Sequence, residues 1–178
     1  MFSFIYLNKK KELYKLLVAR SDILAAHTTC DYFLANVKDM KHQLYFPLQS
    51  AIIVSYGRPF SDNKPLGPLK NKWGKFQDQQ LQKMHNDLLE LRNKMIAHSD
   101  HEHRKAHIIP KGASHPVLGK IKRLSASVSS KALPIERFQI IRRLCFDLNT
   151  RLNQEADKQL EELFENKDLP PKEFELSW

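Results

Sequence analysis

The sequence predicts an all-α fold: an antiparallel helical bundle of about four helices, with a small β-hairpin or irregular basic excursion before the last helix. Three observations point there. Apolar residues recur every three or four positions along four stretches, three of them long. That period vanishes between about residues 100 and 133, and no internal repeat, low-complexity tract or Pro/Gly/Ser-rich linker divides the 178 residues. The chain reads as one domain over 1–178 with the excursion at about 100–133, large enough to bury a core without disulfides or metal.

The first helix is predicted from about Asn8 to Val37, where Leu13, Leu16, Leu17, Ile23, Leu24, Ala26, Cys30, Phe33, Leu34 and Val37 keep helical spacing. The second runs through LYFPLQSAIIVSYG; Pro47 marks its first turn or a kink, and Gly57 followed by Pro59 stops it. RPFSDNKPLGPLKNKWG is dense in turn formers and reads as a loop. A third helix spans roughly Gln77 to Ala97. Beyond it, Leu124, Ala126 and Val128 alternate with serines, and Ile108 and Ile109 supply a partner strand for a small hairpin. Pro134 opens the last long helix, with Phe138, Ile141, Cys145, Leu148, Leu152, Ala156, Leu160 and Leu163 on one face, ending before Pro170 and Pro171.

The formal net charge of +9 is unevenly spread. Residues 1–100 carry a balance of +6, residues 101–143 one of +8 and residues 144–178 one of −5. A basic strip of 43 residues directly after the third helix is a footprint for phosphates, or a solubilising surface segment. Cys30 and Cys145 both fall inside helical patterns and read as buried free thiols of a reducing compartment, which favours the cytoplasm. The N-terminal MFSFIYLNKKK puts apolar residues before the lysines, the reverse of a secretory signal, and no apolar run approaches membrane-spanning length. No membrane partner is therefore expected.

The third helix carries an anomaly. At about 100° per residue, Leu81, Met84, Leu88, Leu89, Leu91, Met95 and Ile96 share one side, while Lys83, Asp87, Glu90 and Lys94 take the other. Arg92 falls near the middle of the apolar side, with His85 one heptad before it and Ser99 one heptad after. A guanidinium cannot be neutralised by losing a proton, so burial there demands a carboxylate, carbonyls, a phosphate or a wet cleft. One reading is an internal ion pair with Asp22 or Asp31 of the first helix. The other is a crevice, closed by a partner helix or second subunit, in which Arg92 binds phosphate. His98 lies about 120° from Arg92 on an ideal helix, so the two converge only if the helix ends near Ala97 or another chain completes the pair. Asn93 adds a polar group beside Arg92, and Ser99 and Asp100 are placed to orient the imidazole or stop the helix.

The run LRNKMIAHSD, residues 91–100, resembles the signature of the HEPN superfamily of helical nucleotide-binding domains, and most resembles abortive-infection-type members. The motif is an arginine, four to six residues and a histidine, often with a polar residue after the arginine; Arg92, Asn93 and His98 match those positions. The YGRPFSDN run also looks like what precedes this motif in such proteins. The resemblance covers residues 56–100 in detail and the rest in helical layout. It implies a metal-independent endoribonuclease without cofactor, in a defence or toxin–antitoxin setting, acting on RNA and partnered by a protein antitoxin. It also implies a homodimer whose two motifs face one composite cleft. His98 is then the general base or acid around the ribose 2′-hydroxyl, Arg92 stabilises phosphoryl charge, and Asn93 positions the phosphate or holds His98. Arg58 is an auxiliary phosphate contact, and Arg104, Lys105, Lys120, Lys122 and Arg123 follow the RNA backbone.

Two rival readings stand beside this one. A HEPN fold also serves as a non-catalytic RNA-binding or protein-interaction module. Alternatively, His98, Asp100, His101, His103 and His107 form a metal site of a metal-dependent hydrolase, although no familiar zinc spacing is present and Arg104 and Lys105 would repel a cation. A nucleotidyltransferase or ATPase lacks a glycine-rich phosphate loop among only five glycines.

Overall fold

A computed structural model of the protein describes residues 2–97, 104–115, 119–130, 132–165, 167 and 172–176. It is mostly helical, with α1 (Phe2–Asn36), α2 (Tyr45–Gly57), α3 (Gln79–Ala97) and α4 (Ile135–Phe164), and a two-stranded antiparallel ribbon before α4. Helix α1 begins before the expected Asn8, at Phe2, because residues 2–7 contain no glycine or proline to stop it. Helix α3 begins two residues later than expected. The Asp78 carboxylate accepts hydrogen bonds from the Gln80 and Leu81 amides at 2.8 and 3.3 Å, which caps the first turn. Pro47 sits in the first turn of α2, where its missing N–H is harmless.

The core is built from most of the stripes read in the sequence, but Leu24 of α1 and Leu160 of α4, expected on those faces, are exposed. Leu13, Leu16, Ile23, Ala26, Cys30 and Phe33 of α1 meet Phe138, Ile141, Leu144, Cys145, Leu148 and Leu152 of α4, with α2 and α3 closing the other sides. Helices α1 and α4 run in opposite directions, since Lys9 meets Glu162 at one end and Cys30 Sγ donates to the Phe138 carbonyl near the other. Phe33 stacks on Phe138 with 3.8 Å between centroids, and Tyr45 packs edge-on to both rings. Both cysteines are free and buried. Burial pushes the Cys30 thiol up to about 12, and the Cys145 thiol is raised by the same cause, so neither is a ready nucleophile. No helix among the described residues is long and apolar enough to cross a membrane.

Between α3 and α4, β1 (Arg104–Ile109) pairs antiparallel with β4 (Ser125–Ser130), with Ile108 opposite Ala126 and Ala106 opposite Val128. This is the expected hairpin. Inside it lies a shorter pair, β2 (Ser114–His115) with β3 (Gly119–Lys120), which is too brief to leave a pattern in sequence. Ile109 and Ile121 are buried within the ribbon and do not join the main core, while Ile108 and Leu124 are 70% and 72% exposed. The segment returning to α4 is pinned on α2. The Gln49 side-chain oxygen accepts from the Leu133 amide at 2.7 Å, and the Tyr45 hydroxyl donates to the Leu133 carbonyl. The base of the ribbon is thus fixed to the bundle.

Candidate functional site around Arg92

Buried positions on α3 follow Leu81, Met84, His85 and Leu88, and the half-buried Arg92 continues that stripe one turn further. Its stem lies directly on the backbone of Gly57, the last residue of α2. A Cβ added there would sit 2.7 Å from Arg92 Cγ, 3.1 Å from Cβ and 3.3 Å from Cδ. Gly57 has φ −79° and ψ −19°, an ordinary helical conformation open to any residue. What this position requires of glycine is space.

The guanidinium does not make the internal ion pair that was one expectation. Asp22 pairs with Arg58 at 3.4 Å, and Asp31 pairs with Arg142 at 2.6 Å and with His27 at 3.5 Å. Those carboxylates are taken by Arg58, from the turn after α2, and Arg142, from α4. Arg92 Nη1 instead donates to Asn93 Oδ1 at 3.0 Å, while Nε is buried with no hydrogen-bond partner. Leaving a buried donor unsatisfied costs about 1–3 kcal/mol, and more when the group is charged. Nε also belongs to the edge that pairs side-on with two oxygens of a carboxylate or phosphate. The arrangement leaves Nε without an acceptor.

The other expected site residues are dispersed. Asn93 is exposed and engages Arg92 directly. His98 lies outside the described residues. Arg58 opens a short 3₁₀ turn, and its side chain is exposed and directed to Asp22 on α1. The YGRPFSDN run is a tightly bonded helix stop: Ser61 Oγ donates to the Gly57 carbonyl and Asn63 Nδ2 to the Arg58 carbonyl, each at 2.7 Å. Burial raises the Asp22 carboxyl, and the Arg58 charge partly offsets it. Lys120 on β3 is exposed, as are Lys122 and Arg123 on the way to β4. Arg104 and Lys105 are the first two residues of β1. The span 104–130 contains no Asp or Glu, so no carboxylate within the ribbon neutralises it.

A second polar feature of α3 was marked in the sequence only by its heptad spacing. His85 Nδ1 shares a 2.7 Å hydrogen bond with the buried Tyr56 hydroxyl, and Phe60 and Phe76 pack on the ring at 4.8 and 5.4 Å. Gly74 makes room for it, since a Cβ there would meet His85 Nε2 at 2.7 Å. Burial first, then the nearby Arg151 charge, pushes His85 down to about 4. The imidazole is therefore neutral near neutrality and shares one proton with Tyr56 across this bond. Arg151 itself lies over Trp73 and Phe76 and donates to the Lys72 and Lys75 carbonyls at 3.0 and 3.2 Å. A buried tyrosine at the end of α2 was the signal available in the sequence, because its hydroxyl needs a partner.

Two clefts lie elsewhere, of about 330 Å³ around Glu12, Lys70 and Glu162 and about 380 Å³ around Trp73 and Arg151. Their charges pair with one another, as in Lys70–Glu12 at 3.1 Å and Lys72–Glu155 at 3.6 Å. Among the described residues no group of three His, Cys, Asp or Glu is placed to hold a metal. Of the histidine-rich run only His107 is described, exposed on β1; His98, Asp100, His101 and His103 lie outside. Compared with family models, curated proteins and solved structures, the chain has no match in any of the three.

Proposed function

We propose that the protein is a metal-independent endoribonuclease of the HEPN type, cutting RNA where two copies bring their Arg92–His98 segments into one composite cleft. The observation that carries this reading is the buried, unpartnered Nε of Arg92 on an otherwise apolar helix face. No carboxylate among the described residues meets that guanidinium, so a phosphate is the natural acceptor. In this reaction the ribose 2′-oxygen attacks the adjacent phosphorus and the bond to the 5′-oxygen breaks. The products are a 2′,3′-cyclic phosphate and a 5′-hydroxyl. The 2′-proton leaves to one His98 and the 5′-oxygen gains a proton from the other, while Arg92 holds the charge growing on the phosphoryl oxygens. Asn93 keeps Nη1 fixed during that change.

The experiment is incubation of purified protein with unstructured RNA in excess chelator, comparing wild type with Arg92→Ala and His98→Ala. Cleavage by wild type to cyclic-phosphate ends is expected, slowed roughly 100-fold or more by either substitution. Loss of activity on chelation would instead indicate the metal-dependent hydrolase. The acid-free ribbon supports a second reading, an RNA-binding module without catalysis. RNA that stays intact but bound by all three proteins would establish that reading and reject the nuclease. A monomer by light scattering at micromolar concentration would reject the composite site.

A further inference from the structure

We propose that Gly57 is the positioning residue for Arg92: the bare backbone at the end of α2 is the seat that holds the arginine stem and so fixes where its guanidinium points. Three facts carry this. The position has unstrained helical angles, so glycine is not there for its conformational freedom. Any Cβ would fall within 2.7–3.3 Å of three successive carbons of the Arg92 stem, closer than van der Waals contact allows. Those carbons lead straight to Nε, whose burial without a partner is the feature on which anion recognition depends.

The seat is itself held. Ser61 Oγ donates to the Gly57 carbonyl, and Tyr56, the preceding residue, is locked to His85 of the same helix that bears Arg92. A clash at Gly57 therefore falls on the Arg92 stem, whose Cγ and Cδ must turn away, more than on the α2 terminus. The same device recurs at Gly74, which clears space for His85 one heptad earlier. Two glycines outside α3 thus make room for His85 and Arg92.

The seating of Arg92 stands on geometry alone; its consequence for RNA rests on the function proposed above. The test is a cycle of Gly57→Ala, Arg92→Ala and the double variant. With Arg92 in place, Gly57→Ala lowers the melting temperature and speeds solvent exchange of the Arg92 Nε proton, which burial otherwise slows. In the Arg92→Ala background, where only the Cβ contact at 3.1 Å remains, the same substitution costs much less melting temperature, and the better helix propensity of alanine offsets part of that cost. In the RNA assay, Gly57→Ala reduces kcat at least tenfold with little change in KM, and adds nothing to Arg92→Ala. Should Gly57→Ala fail to fold, recovery of folding in the double variant supports the seat equally well, and continued failure to fold in the double variant overturns it. An equal loss of stability in both backgrounds, or an unchanged Nε proton, would overturn the proposal whatever the RNA result. If wild type neither binds nor cuts RNA, the function falls while the stability cycle still decides the seat.

Discussion

Tyr56 and His85 join α2 to α3 through a hydrogen bond of 2.7 Å, with both side chains buried. The imidazole binds its proton more weakly in the folded chain, at about 4, than in the unfolded one, at about 6.5. Between those values the unfolded chain holds the extra proton, so stability falls as pH falls from about 6.5 to 4 and is insensitive to this group above 6.5. The contribution is on the order of 3 kcal/mol across the window. Tyr56→Phe leaves the buried His85 Nδ1 without its partner and costs about 1–3 kcal/mol, whereas Tyr56→Phe with His85→Phe recovers part of that loss. Urea unfolding at pH 4.5 and 7.5 checks both statements, and the double variant should lose this part of the pH dependence. Equal costs for the single and double variants would contradict the pairing.

Under the function proposed, Arg92 serves RNA cleavage at a cost in stability. Arg92→Met keeps an unbranched stem on Gly57 and removes the unsatisfied Nε, so it should stabilise the fold by about 1 kcal/mol while abolishing RNA cleavage. Chemical denaturation beside the cleavage assay measures the two together. A destabilised Met variant would mean that the guanidinium already has a partner sufficient to hold it.

Much of the fold was legible in the sequence, for reasons that are physical. The stripes of α1 and α4 bury single continuous faces, so period alone located Leu13 to Val37 and Phe138 to Leu163. Arg92 stood out because a charge on an apolar face conflicts with the pattern around it. The seat on Gly57 was not legible: a glycine at a helix end reads as a stop signal, and only the approach of a side chain distant in sequence shows that it is also a gap. The expectation of Asp22 or Asp31 as Arg92's partner failed for a related reason. Spacing along a helix does not tell which of several cations, here Arg58 and Arg142, reaches a surface carboxylate first.

Arg58 separates a structural from a phosphate-binding role. Its pair with Asp22 is exposed on the arginine side, so Arg58→Ala should change stability at neutral pH by no more than about 0.5 kcal/mol. The effect has a sign with pH. Burial raises Asp22 when folded, and that carboxyl therefore contributes less stability as pH rises through its titration; removing Arg58 strengthens this trend. Unfolding midpoints at pH 4 and 7 should differ more from wild type at pH 7. If Arg58 also touches phosphate, RNA affinity drops by more than this stability change explains, and filter binding reads that directly.

The ribbon offers a test of how RNA is held, independent of catalysis. Lys120, Lys122 and Arg123 are exposed on a segment without a single carboxylate, and the ribbon's base is anchored by Leu133 on Tyr45 and Gln49. Under the function proposed, such a surface would bind through phosphate neutralisation, with each contact contributing about 0.7 to the slope of log affinity against log salt for a single strand. Replacing all three by alanine should therefore flatten the slope by about 2 and weaken binding equally for RNAs of different sequence. Folding should be unaffected, because the ribbon's buried residues, Ile109 and Ile121, are untouched. Fluorescence anisotropy between about 50 and 200 mM salt, with two RNAs of unrelated sequence, measures slope and selectivity at once. An unchanged slope would remove Lys120, Lys122 and Arg123 from the RNA path. A change in selectivity with an unchanged slope would mean that these side chains touch bases, not the backbone.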